Sequence, residues 1–128
     1  QTVEFRCPDG SADIYLLLAG LAVAARHGFE MENGTQYARD RYVDVNIFDE
    51  RHREVLARLN RLPASCEESA RRLEEHRAVY ERHGVFSPRL IDGLVARLAA
   101  FRDADLRREL AGDEEKVRKL VETYFYCG

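Results

Sequence analysis

Cysteine is scarce in this chain and poorly placed for cross-linking. Cys7, Cys66 and Cys127 are the only three, an odd number with no CxxC pair among them. That pattern excludes a disulfide framework and a zinc site built from paired thiols. It reads as a reducing, cytoplasmic compartment in which each Cys acts as a small apolar group. Long hydrophobic runs are also lacking. The longest spans residues 14–25, too short for the ~30 Å core of a bilayer, so no membrane span is expected. Neither sign of charge dominates: 20 Lys and Arg are interleaved with 23 Asp and Glu, for a net charge of −3. Without a basic stripe, neither nucleic acid nor an anionic membrane surface is an expected partner. There is no glycine-rich phosphate loop and no Gly-x-Ser-x-Gly elbow. An initiator Met is missing too, and Gln1 leads straight into strand-like residues. The expectation is a piece of a longer protein.

What is present is an ordinary globular composition. The 128 residues are 45% hydrophobic and 34% charged, enough for one domain over residues 1–128 with a modest core. Three prolines punctuate it. Val3, Phe5 and Cys7 alternate with Thr2, Glu4 and Arg6, which predicts a leading β-strand over residues 2–7, closed by Pro8. Asp9-Gly10 marks a turn and Ser11 a helix cap. The following helix, over about residues 12–27, is apolar all round and so belongs inside a protein, with Gly28 as its C-cap. Asn33-Gly34 reads as a turn. Residues 42–47 alternate like a further short strand or an extended loop.

The rest reads as helix. Residues 49–62 carry Val55, Leu56 and Leu59 at helical spacing, ahead of Pro63. Ser65 and Glu68 fit a capping box for a helix reaching about Arg82, with Cys66, Ala70, Leu73 and Tyr80 as its inner stripe. Ser87-Pro88 opens another helix, whose buried face runs from Leu90 and Ile91 to Phe101. Asp103 is expected to cap a short helix ending at Gly112. Asp113 is expected to cap a last one with Val117, Leu120, Val121 and Tyr124 inward. The predicted class is therefore mainly α: a leading strand followed by five or six packed helices over residues 11–128.

Glu4 and Arg6 are the sharpest chemical feature. Alternation puts both on one face of the predicted strand. A carboxylate there can hold a divalent cation through oxygen, and a guanidinium two residues on can grip a carboxylate bidentately. Taken alone, two charges on a strand face are ordinary surface groups. His76 and His83 lie seven apart, not at the spacing of about four that helical zinc ligands use. The acidic pairs Glu67-Glu68 and Glu74-Glu75 sit beside arginines and read as solvated, salt-bridging faces. No complete catalytic set is present.

The stretch Val3-Glu4-Phe5-Arg6-Cys7-Pro8-Asp9-Gly10-Ser11-Ala12-Asp13-Ile14-Tyr15-Leu16 resembles the last conserved block of glutamine synthetases. That block runs apolar, Glu, any residue, Arg, any residue, Pro-Asp, two small residues, Ala, Asn-Pro-Tyr-Leu, ahead of an Ala- and Leu-rich helix. Leu62-Pro63-Ala64-Ser65-Cys66-Glu67-Glu68-Ser69 is similar to the same family's Leu-Pro-x-Ser-Leu-Glu-Glu-Ala helix start. The resemblance implies that residues 1–8 are the last strand of a catalytic barrel. It implies that Glu4 is a metal ligand, for Mg2+ or Mn2+ beside ATP. It also implies that Arg6 is the catalytic, substrate-binding arginine, which grips the glutamate side-chain carboxylate and steadies the acyl phosphate that ammonia then attacks. The remaining ligands, the ATP pocket and the ammonium site would lie on missing polypeptide, and neighbouring subunits of a homo-oligomeric ring would complete each site. The isolated chain should then be inactive and bind no cofactor.

Two departures stand out. Thr2 occupies a position where many members carry an arginine that touches ATP phosphates, and Asp13-Ile14 replaces Asn-Pro. A divergent branch of this kind leaves two alternatives beside the glutamate–ammonia ligase: a glutamate ligase that uses another amine such as a polyamine, and a non-catalytic helical interaction module built from the amphipathic helices after Ser65.

Overall fold

The computed structural model describes residues 4–8, 10 and 12–125. Among these the architecture is eight α-helices and one 3-10 turn, with no strand. The helices are α1 (Ile14–Glu30), α2 (Gly34–Asp40), α3 (Arg53–Arg58), α4 (Cys66–Glu75), α5 (Arg77–Glu81), α6 (Pro88–Ala99), α7 (Leu106–Leu110) and α8 (Glu114–Tyr124). The 3-10 turn, Glu50–His52, runs directly into α3.

The mainly helical expectation holds, but both predicted strands are overturned. Of the leading strand, residues 4–7 carry no regular structure, while residues 1–3 lie outside the described residues. Residues 42–47 are loop, bend and turn, not strand. The physical reason is the same in both places. An alternating pattern makes a strand only when a neighbouring strand accepts its backbone hydrogen bonds, and no second strand exists among the described residues. The predicted cap Ser11, and Asp9 of the predicted turn, lie outside the described residues. The side chain seen to cap α1 is that of Asp13, which accepts the N–H groups of Tyr15 (2.9 Å) and Leu16 (3.0 Å).

Several helix boundaries move for identifiable reasons. Gly28 does not end α1, which continues to Glu30 and stops where Met31 turns extended. Asn33-Gly34 is a turn that opens a helix, α2, which Arg41 buttresses by stacking 3.4 Å over the Tyr37 ring. The helix expected over residues 49–62 resolves into the 3-10 turn and the short α3. The helix expected from Ser65 to Arg82 breaks at His76, giving α4 and α5. Ser65 caps α4 as expected, its Oγ accepting the Glu68 N–H at 3.0 Å. The reciprocal bond is displaced by one residue, because Glu68 Oε2 accepts the N–H of Ala64 instead, at 2.9 Å.

The core is small and sits where three segments meet. Val23 of α1, Phe86 in the turn before α6, and Ile91 of α6 form it, and Ile91 is fully buried. Leu16, Leu73, Val79, Tyr80 and Val95 pack around them, with Tyr80 and Phe86 edge to face at 5.6 Å. α4 lies along α6, where buried Ala70 allows close approach, and α1 packs on α5. Gly84 supplies the positive φ (67°) of the turn that delivers Phe86 to the core. Two expectations of inward residues fail: Phe101 is exposed, and Val117, Val121 and Tyr124 are about half exposed. α7 and α8 pack on each other.

The apolar helix behaves as a buried element without a full covering. Val23 is inside, but Ile14 and Leu18 are exposed and Tyr15 is 82% exposed. Among the described residues no single helix is long and apolar enough to cross a membrane.

Candidate functional site

The two residues singled out in the sequence do come together. Arg6 Nε stands 3.4 Å from Glu4 Oε1, and both side chains are open to solvent, 83% and 78% exposed. The segment ahead of α1 therefore presents an acid and a guanidinium side by side, with neither committed to a buried partner. The inner face expected behind them is not formed: Phe5 and Cys7 are exposed, and Val3 lies outside the described residues. No group of three His, Cys, Asp or Glu side chains able to hold a metal occurs among the described residues.

The other ionic groups serve the bundle. Arg77, the first residue of α5, donates to Glu74 of α4 (2.8 Å), Glu81 of α5 (2.8 Å) and Asp92 of α6 (2.9 Å). Those hydrogen bonds hold its guanidinium well above the ordinary arginine range, Glu74 contributing most. Glu30, at the end of α1, accepts from Arg26 at 2.8 Å and lies 3.5 Å from Arg82 and 3.3 Å from His83. Its carboxyl is lowered, chiefly by the bond from Arg26 and then by His83. His83 thus joins α1 to the turn after α5. His52 Nδ1 approaches the Asn46 carbonyl at 3.0 Å. On α4, Arg71 pairs with Glu68 and Glu75, and Arg72 with Glu75.

Asp103 is the residue whose role the sequence concealed. It does not cap α7, whose N-cap position is Asp105. Its carboxylate instead reaches across to α4 and accepts the N–H groups of Cys66 (2.8 Å) and Glu67 (3.1 Å). Glu67 returns the contact, Oε1 accepting the Ala104 N–H at 3.4 Å. The backbone bond from Cys66 is the main cause of a lowered Asp103 carboxyl. Burial, helped by that carboxylate, pushes the Cys66 thiol up. Local spacing carries no signal for such a cap, because its partners lie 36 and 37 residues away.

Cavities are shallow. One open groove, of about 440 Å3, runs between α7 and α8 over Leu106, Leu110 and Leu120, with Lys116 and Lys119 at its rim. A second of similar size lies between α4 and α6, floored by Ala70, Val95 and Ala99 and edged by Glu67, Glu74 and Glu75. Neither is close-walled in the manner of a small-molecule site, and neither is lined by Glu4 or Arg6.

The described residues are thus a helical bundle preceded by an exposed Glu–Arg pair. Comparison with known families places it. Residues 1–108 match the family described as glutamine synthetase, catalytic domain, and the chain belongs to that family. Among curated proteins, the glutamine synthetase of Thermococcus kodakarensis is 31% identical to it over 127 residues, or 97% of this chain. The same alignment covers 28% of that relative's length. No solved structure matches the chain.

Proposed function

We propose that this chain supplies one portion of the catalytic domain of an ATP-dependent glutamate–ammonia ligase, with Glu4 and Arg6 as its contribution to the active site. The family match over residues 1–108 carries the reading, since it includes both residues. The exposed 3.4 Å pairing of Glu4 and Arg6 fits it. Exposed ion pairs contribute little to stability and exchange partners readily, so each side chain is free to turn to a ligand of its own.

Arg6 is the group that grips the side-chain carboxylate of glutamate. Its fork of donors matches two carboxylate oxygens. It would hold that carboxylate in line for phosphorylation and meet the charge that develops on it. Glu4 has the hard oxygen donors that Mg2+ or Mn2+ prefers, but such ions take about six ligands. Among the described residues no group of three or more His, Cys, Asp or Glu side chains is placed to hold such an ion. Glu4 would provide one ligand, and polypeptide outside these residues the others. The bound cation would neutralise ATP phosphate charge.

The partners in this reading are the remainder of the catalytic domain and neighbouring subunits of a homo-oligomer, in the cytoplasm. The uncovered face of α1, with Ile14, Tyr15 and Leu18 exposed, supports docking against further polypeptide, because a surface helix ordinarily keeps its apolar stripe inward.

Steady-state kinetics of the full-length enzyme test the assignment. Glu4→Ala should raise the metal and ATP requirement. Arg6→Ala should raise KM for glutamate and lower kcat by at least tenfold, and Arg6→Lys should not restore it. Normal kinetics in both alanine variants would refute the roles. The isolated chain should form no glutamine from glutamate, ammonia, ATP and Mg2+; measurable product would show that it holds a complete site.

A further inference from the structure

We draw no further inference here: the strongest candidate, the half-exposed stripe of Val117, Val121 and Tyr124 along the outer face of α8, spans only a few turns of helix, and nothing in the structure shows what covers it.

Discussion

Asp103 Oδ2 accepts the backbone N–H of Cys66 at 2.8 Å, so a loop residue after α6 closes the N-terminus of α4 from 37 residues away. Its second oxygen takes the Glu67 N–H, and α4 therefore starts with two caps, Ser65 in sequence and Asp103 in space. An anion is favoured there twice over, by free donors and by the helix dipole.

Removing that carboxylate should loosen the tie between α4 and the α7–α8 hairpin. Asp103→Ala is expected to lower Tm by roughly 5 °C, the scale of a lost helix cap in a domain of this size. Asp103→Asn should lose less, since its carbonyl oxygen still accepts one of the two N–H groups. Thermal melts of the three proteins at pH 7 make the comparison.

The same pair predicts a pH dependence. The Asp103 carboxyl is lowered in the folded state, chiefly by the Cys66 N–H. Its stabilisation is therefore complete above the unfolded carboxyl value of about 3.9 and is lost as pH falls through the depressed folded value. The Tm gap between the native protein and Asp103→Asn should stay flat from pH 8 to 5 and narrow below about pH 4.

Cys66 should be slow to alkylate. Burial and the neighbouring Asp103 carboxylate raise its thiol, leaving little thiolate at neutral pH, whereas Cys7 is exposed. Iodoacetamide labelling mapped by peptide mass spectrometry should modify Cys7 well before Cys66. Asp103→Ala should narrow the difference.

Among the described residues Ile91 is the one large side chain that is fully buried, and it joins Val23 to Phe86. Ile91→Ala should cost about 2–5 kcal/mol, and Ile91→Val about 0.5–1.5 kcal/mol, by lost burial and the cavity left behind. In a core this small the alanine variant should unfold at markedly lower urea, with α1 detached. Denaturant titration followed by circular dichroism gives both midpoints.

Arg77 holds the break between α4 and α5 against α6. Arg77→Ala leaves Glu74, Glu81 and Asp92 facing each other, and Tm should fall. Arg77→Lys should recover only part, because a point charge cannot reach three carboxylates as a planar fork does. High salt should shrink both losses by screening the freed carboxylates.

Much of the helical layout is written in short-range pattern. Ser87-Pro88 opens α6 and Asp113 caps α8, with Ser87 Oγ and Asp113 Oδ1 accepting the expected N–H groups of Leu90 and Lys116. Ala70, Leu73 and Ile91 lie on inward faces as their spacing requires. Capping and amphipathicity act over three or four residues, so the chain states them locally. Glu4 and Arg6 were legible as two charges two residues apart, and the structure pairs them at 3.4 Å.

Tertiary structure decided the rest, wherever the partner is distant or the pattern is permissive. Alternation over residues 2–7 and 42–47 suits a strand, yet a strand needs a neighbour to bond, and none is present among the described residues. Asp103 sits where a local cap for α7 would sit, but folding brings the open N–H groups of α4 closer. Positive φ at Arg102 (50°), a left-handed turn unusual for a side chain without glycine's freedom, immediately precedes that cap. By itself the sequence determined the mainly helical layout, the caps of α4, α6 and α8, and a spaced acid–guanidinium pair, because these depend on neighbours in the chain. Which strands failed, which acid capped which helix, and how much of α1 stayed uncovered depended on what the fold placed alongside.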